Sequence, residues 1–114
     1  MKSPFATVAA AALLFTLNGF ARAGESVLII THEVKDFKVW KGFYDSDKPN
    51  RDKAGLVERF LVRDAERPNV VTVVFDAPNA GAARTFTSNP ALKEIMLKAG
   101  VMPPPNIAIG NVAK

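Results

Sequence analysis

Apolar positions beyond Gly24 fall into five segments whose spacing is, in chain order, that of a strand, an aromatic helix, a β-hairpin, a second helix and a last strand. The first segment, Val27 to Val34, is a continuous apolar and β-branched run without a polar face. Such a run is typical of a strand that is covered on both sides. The sequence therefore predicts this segment as the central strand of a sheet.

A strongly amphipathic helix is predicted after Asp36, whose side-chain oxygen can cap the first turn. Its apolar side chains recur at helical spacing: Phe37, Trp40, Phe43 and Tyr44. Pro49 is expected to stop or kink this helix. Residues 50–55 are predicted as a polar passage that ends at a glycine.

Two strands are predicted next, at Leu56 to Arg63 and at Val70 to Phe75, joined by a turn-rich loop into a β-hairpin. Alternation along the first arm places Glu58, Phe60 and Val62 on one face. The opposite face of that arm is predicted to carry the residues between them.

The second helical segment ends at Gly100. Asn89 followed by Pro90 is a helix start signal inside it, so this helix is expected in two pieces. Its buried stripe is predicted to be Leu92, Ile95, Met96 and Ala99. Prolines 103–105 are predicted as a stiff extended connector, and Ile107 to Val112 as the final strand.

This β-α-β-β-α-β order predicts a ferredoxin-like α+β fold, with a four-stranded antiparallel sheet and both helices on one face. The predicted strands are apolar on both faces, so an uncovered outer face would be a sticky patch. We therefore expect two copies of the chain to pack face to face as a homodimer.

The first 23 residues are predicted to be a secretory signal peptide. Lys2 supplies a positive start, Ala6 to Leu17 is apolar but too short to span a bilayer, and residues 21–23 form a small-x-small cleavage site. Cleavage would leave a single domain, residues 24–114, that is periplasmic or secreted and has no stable membrane anchor.

Charge and cysteine content argue against several classes of function. Loss of Lys2 and Arg22 with the leader lowers the formal net charge from +4 to +2, and the remaining charges are interspersed, so no nucleic-acid partner is expected. The chain has no cysteine, which excludes thiol catalysis and disulfides. A metal site is poorly supported because His32 is the single histidine.

Three stretches are distinctive: Ile30 to Phe37 continued by Trp40, Lys41 and Phe43; Arg51 to Leu56; and Asn89 to Val101. Together they resemble small proteins of the dimeric α/β-barrel superfamily related to antibiotic biosynthesis monooxygenases (ABM-like domains). The resemblance implies a ferredoxin-like domain that dimerises into a barrel. Members of that superfamily include cofactor-independent oxygenases, haem-degrading enzymes and isomerases, so the resemblance specifies a fold rather than a reaction. In haem-degrading members a helix histidine binds iron, whereas His32 lies on a predicted strand, so no cofactor is expected.

Four residues are candidates for a site, each with a structural alternative. His32 is the candidate for acid–base catalysis, and its alternative is a packed core histidine bonded to a backbone carbonyl. Trp40 and Tyr44 lie one helical turn apart, so they either line a pocket wall or simply pack the helix on the sheet. Arg51 either binds a substrate carboxylate through its bidentate fork or is solvated, which is the commoner case.

The sequence favours an exported homodimer that binds a small organic molecule, aromatic compounds included, in a pocket between the first helix and the sheet. One alternative is a cofactor-independent monooxygenase or isomerase in which His32 moves a proton while Trp40 and Tyr44 orient the substrate. The other alternative is a non-catalytic structural or stress-related interaction module with a filled core around Trp40.

Overall fold

The computed structural model of the 114-residue chain describes residues 25–113. The elements follow in the order β1 (Ser26–Val34), α1 (Phe37–Ser46), α2 (Lys48–Lys53), β2 (Val57–Arg63), β3 (Val70–Asp76), α3 (Ala80–Ser88), α4 (Pro90–Lys98) and β4 (Val101–Asn111). The predicted leader, residues 1–23, lies outside the described residues. Within residues 25–113, no helix has the length and apolar character needed to cross a membrane.

The strands form one four-stranded sheet in the order β2-β3-β1-β4, and each neighbouring pair is antiparallel. The helices lie on one face of the sheet and enclose a core with it. The buried core residues are Leu28, Ile30, Val34, Trp40, Leu56, Val71, Val73, Phe75, Ala77, Ala83, Ala99 and Val101. This arrangement confirms the predicted ferredoxin-like α+β fold, with β1 as a central strand.

Helix starts follow the predicted capping residues. Asp36 Oδ1 accepts a hydrogen bond from the Val39 backbone N–H at 3.1 Å, which satisfies one of the free donors of the first turn of α1. Asn89 Oδ1 accepts from the Ala91 N–H at 2.9 Å, and Pro90 occupies the first turn of α4. The second helical segment is therefore divided into α3 and α4, as predicted.

The polar passage predicted at residues 50–55 is wrong in part, because α2 continues the helical layer past Pro49. Proline lacks an N–H that a first turn would leave unbonded anyway, so it starts this helix rather than ending one. The helix ends at Gly55, whose φ of 75° only glycine adopts readily. The Leu56 N–H donates to the Arg51 carbonyl at 3.0 Å and closes the turn as a Schellman motif.

The final strand begins earlier than predicted, at Val101, and contains the three prolines 103–105. Proline cannot donate a ladder hydrogen bond, and β4 is an edge strand, where this is tolerated. The prolines lie where the pairing with β1 is interrupted, between Glu33↔Met102 and Thr31↔Asn106. His32 occupies the matching interruption on β1.

The predicted alternation of β2 also needs correction. A bulge between Glu58 and Phe60 shifts the register against β3. Glu58 pairs with Phe75 and faces the helices, whereas Phe60 pairs with Val74 on the opposite face. The bulge thus separates two residues that the sequence placed on one face.

The outer face of the sheet, opposite the helices, is rich in exposed apolar side chains. They are Val57, Phe60, Val62 and Met102. Val57 and Phe60 each keep 59% of their surface exposed. Strand β1 is therefore buried firmly on the helix side and only partly on the outer side of a single chain.

Candidate functional site

A small cavity of about 50 Å³ lies between α1 and the sheet, and the last two turns of α4 close its far side. His32 comes from β1, and Val73 and Phe75 come from β3. The helices contribute Trp40, Tyr44, Arg51, Phe86, Leu92, Ile95, Met96 and Ala99. All four candidate site residues predicted from the sequence therefore line one cavity.

His32 is only 5% exposed, yet both of its ring nitrogens lack a hydrogen-bond partner among the described residues. Burial disfavours the charged imidazolium and lowers the pKa of His32 from 6.5 to about 4. His32 is therefore packed in the core, as its predicted alternative requires, but the predicted hydrogen bond to a backbone carbonyl is not formed within the described part of the chain. A buried polar group without a partner costs roughly 1–3 kcal/mol, so its retention calls for an explanation.

Trp40 connects His32 to the rest of the aromatic wall. Its indole meets the imidazole edge to face with ring centroids 5.5 Å apart, and it stacks on Tyr44 with centroids 4.9 Å apart. The Tyr44 hydroxyl donates to Glu58 Oε1 at 2.8 Å. Burial, reinforced by this hydrogen bond, raises the pKa of Tyr44 above its ordinary value, so the phenol stays protonated.

Arg51 is 7% exposed, so the expectation that it is solvated is wrong. Its Nη1 donates to the Tyr44 carbonyl oxygen at 2.6 Å, and its guanidinium carbon lies 3.7 Å from the centroid of the Tyr44 ring. Among the described residues it forms no ion pair with a carboxylate. A buried guanidinium held by a ring and one carbonyl retains a positive charge that faces the cavity.

Helical spacing explains why Arg51 reaches this site. Trp40, Tyr44, Asp47 and Arg51 recur at intervals of four, three and four residues. The stripe runs through Pro49 because α2 follows α1 almost without interruption. Because a stop or kink is expected at Pro49, the sequence alone does not continue this spacing to Arg51 or predict Asp47 as a lining residue.

An open groove of about 520 Å³ adjoins the cavity between α2 and the α3–α4 pair. Four residues line both the cavity and the groove: Asp47, Phe86, Leu92 and Ile95. The groove adds polar side chains from Asn50, Lys53 and Asn89. It is therefore the natural approach from solvent to the buried cavity.

The acidic residues near this site are occupied by local contacts. Asp45 Oδ1 accepts from Lys41 Nζ at 2.7 Å, and Asp52 pairs with Lys48 Nζ at 3.0 Å. Asp47 Oδ1 accepts from the Asn50 side-chain amide at 2.6 Å. Across residues 25–113, no cluster of three or more histidine or acidic side chains is arranged to hold a metal ion.

Solved structures share this fold. One is a candidate antibiotic biosynthesis monooxygenase from Bordetella bronchiseptica, with a TM-score of 0.62, 16% identity, and coverage of 79% of this chain and 99% of that one. A conserved protein from Methanosarcina mazei has a TM-score of 0.59, 18% identity, and coverage of 79% and 95%. Another candidate antibiotic biosynthesis monooxygenase, from Nitrosomonas europaea, has a TM-score of 0.53, 12% identity, and coverage of 78% and 99%.

No model of a known protein family matches the sequence, and no curated protein matches it. The structural likenesses establish that the chain has the ferredoxin-like fold of ABM domain proteins. At these identities they establish the fold alone, because one fold supports many activities.

Proposed function

We propose that the cavity beneath α1 binds a small organic molecule in contact with His32, Trp40, Tyr44 and Arg51. The observation that carries this proposal is the imidazole of His32, which is buried and has neither ring nitrogen bonded to any of residues 25–113. A neutral imidazole offers one N–H donor and one acceptor. A ligand that enters the cavity and uses either nitrogen would offset the cost of leaving them without partners.

Arg51 supports the same proposal from the other side of the cavity. Core residues that serve packing alone are seldom charged, because burial of an unpaired charge is costly. Here Arg51 and His32 both line an otherwise apolar cavity. A few polar groups that converge on an apolar, aromatic-lined space are characteristic of small-molecule sites.

An oxygenase activity is the second candidate, because the Bordetella bronchiseptica and Nitrosomonas europaea structures with this fold are candidate antibiotic biosynthesis monooxygenases. In that version an electron-rich phenol would itself reduce O₂, taking one oxygen atom and releasing water. His32 in its present surroundings is a weak base for such a substrate. A phenol has a pKa near 10, about six units above that of His32, which amounts to roughly 8 kcal/mol against proton transfer.

We therefore favour binding over base catalysis by His32. Oxygen consumption in the presence of naphthols and dihydroxybenzenes tests the second candidate, with His32→Gln as the control variant. Consumption that depends on His32 would favour catalysis. Consumption unchanged by the substitution would exclude His32 as the base.

The proposal also covers the oligomeric state and the location of the protein. We propose an exported homodimer in which the outer sheet faces pack together and cover the exposed apolar side chains of Phe60, Val57 and Met102. Export rests on the signal-peptide pattern of residues 1–23. The cavity lies on the helix side of the sheet, so ligand entry would remain open in such a dimer.

The direct test is a binding screen that uses Trp40, the single tryptophan of the chain, as the reporter. Small aromatic and alicyclic acids, amides and alcohols are titrated at neutral pH while the emission is followed. Saturable quenching or enhancement is expected for at least one class. The matched control is Ala99→Leu, which fills the cavity with an apolar side chain from the residue that caps the C-terminus of α4 and should abolish the response.

If no compound class changes the Trp40 emission at millimolar concentration, the cavity serves packing only. The chain would then be the structural or interaction module, and the binding proposal would be wrong. If the Ala99→Leu protein responds as the wild type does, the binding site lies elsewhere.

A further inference from the structure

We infer that the ligand is an amphipathic organic carboxylate, with its charged head against Arg51 in the cavity and its apolar body in the groove between α2 and the α3–α4 pair. This inference rests on the proposed function. It adds the chemical class of the ligand and the orientation in which the ligand binds. Three independent features carry it: an unpaired buried cation, the size of the cavity, and the composition of the groove.

The first feature is the charge of Arg51. Its side chain is buried and donates one hydrogen bond to the Tyr44 carbonyl, and no carboxylate of residues 25–113 lies within ion-pair distance. A guanidinium has five N–H donors in a planar fork that matches a carboxylate. The stack on Tyr44 holds that plane in place before any ligand arrives. A ligand carboxylate would pair with this fork, because the Asp47 carboxylate, which also lines the cavity, accepts from the Asn50 side-chain amide instead.

The second feature is the small volume of the cavity, about 50 Å³. An apolar cavity of about 150 Å³ holds a benzene molecule, and a water needs roughly 10–15 Å³. The cavity under α1 thus accommodates about three or four heavy atoms, which is the size of a carboxylate group. A larger ligand must place the rest of its body outside the cavity.

The third feature is the groove of about 520 Å³, which shares part of its wall with the cavity. Phe86, Leu92 and Ile95 supply an apolar surface that is continuous between the two spaces. Lys53 and Asn50 lie along the groove on α2. A chain or ring attached to the carboxylate would therefore contact apolar side chains as soon as it left the cavity.

The test compares 3-phenylpropanoate with its neutral isostere 3-phenylpropanamide by isothermal titration calorimetry on the full mature chain. We expect the acid to bind roughly 10- to 100-fold more tightly, because the amide cannot form a charge-assisted bidentate pair with Arg51. Acetate, which lacks an apolar body, is expected to bind at least tenfold more weakly than 3-phenylpropanoate.

Substitutions show which residues bind the carboxylate and the apolar body of the ligand. Arg51→Lys should weaken binding of the acid roughly tenfold or more and leave binding of the amide unchanged. Arg63→Lys is the matched control, since Arg63 also stacks on an aromatic ring, Phe37, but away from the cavity. Leu92→Ser should weaken the binding of 3-phenylpropanoate more than the binding of acetate. The acid–amide comparison uses the unaltered protein and does not depend on whether any variant folds.

Equal affinity for the acid and the amide would overturn the inference while leaving the cavity as a binding site. Absence of heat from both compounds up to 10 mM, roughly the limit of weak fragment binding, would also overturn it. In that case the Trp40 screen with neutral alcohols decides separately whether the cavity binds anything. Acid affinity that Arg51→Lys does not change would place the anion at another site.

Discussion

The imidazole of His32 and the indole of Trp40 meet edge to face, with ring centroids 5.5 Å apart and planes at 75°. The chain has one histidine and one tryptophan, so each residue gives a single spectroscopic signal and both signals come from the cavity wall. Changes of charge or occupancy in the cavity can therefore be followed without substituting either residue.

The first prediction concerns the protonation of His32. Because burial disfavours the imidazolium, the ring should titrate with a midpoint about pH 4. The chemical shift of the His32 Hε1 proton, followed by NMR from pH 8 to pH 3, measures this pKa. Far-UV circular dichroism over the same range checks that the fold persists. A midpoint at 6 or above would show that water has free access to the ring.

The second prediction is a dependence of stability on pH. The folded-state pKa of about 4 lies below the unfolded value of 6.5, so the unfolded chain binds more protons between these two values. Stability is therefore fully present above about pH 6.5 and falls as the pH drops towards 4, by an amount on the order of 2 kcal/mol after allowance for solvent screening.

Urea unfolding of the wild type and of His32→Phe, measured at intervals from pH 4 to pH 7, isolates this contribution. The carboxylates titrate in both proteins, so the difference between the two free energies of unfolding should vary only over this window. A difference that is constant with pH would mean that His32 is as easily protonated in the folded chain as in the unfolded one.

The third prediction separates the buried stack of Arg51 from the exposed stack of Arg63. Both guanidinium groups lie over an aromatic ring and donate to a backbone carbonyl, at 2.6 Å to Tyr44 and 2.8 Å to Pro68. Because Arg51→Met removes an unpaired buried charge, it should raise the free energy of unfolding by about 1 kcal/mol, whereas Arg63→Met removes an exposed stack and should lower it by less than about 1 kcal/mol. Equal losses in chemical denaturation would contradict the buried placement of Arg51.

The fourth prediction concerns the proposed dimer. Phe60→Glu places a charge in the middle of the exposed apolar face of the sheet and should convert the dimer into a monomer at micromolar concentration. Leu97→Glu is the matched control, because Leu97 is similarly exposed, at 52%, but lies on α4. Sedimentation velocity distinguishes the two. A wild-type protein that sediments as a monomer would contradict the proposed dimer.

Much of the fold follows from periodicity and capping. The capping oxygens of Asp36 and Asn89 and the left-handed turns at Gly55 and Gly100 are local effects, so short-range sequence reasoning identifies them. The four-stranded antiparallel sheet with its helices on one face follows from the same segments, since few topologies accommodate them.

The errors occur where tertiary contacts outweigh a local rule. Pro49 starts a helix because the chain has already turned at Asp47, and the prolines 103–105 are tolerated in a strand because that strand is at the edge. Among the wrong predictions, the one for Arg51 matters most for the candidate site. A basic residue among polar neighbours is usually solvated, and only the packing of α2 onto Tyr44 shows that this one is buried.

Occupancy of the cavity beside His32 by a ligand is measured most directly by intermolecular nuclear Overhauser effects between 3-phenylpropanoate and the protein. We expect contacts from the methylene protons next to the carboxylate to the His32 ring and the Trp40 indole, and contacts from the phenyl ring to Leu92. Contacts confined to Phe60 and the outer face of the sheet, or none at saturating acid, would contradict occupancy of the cavity.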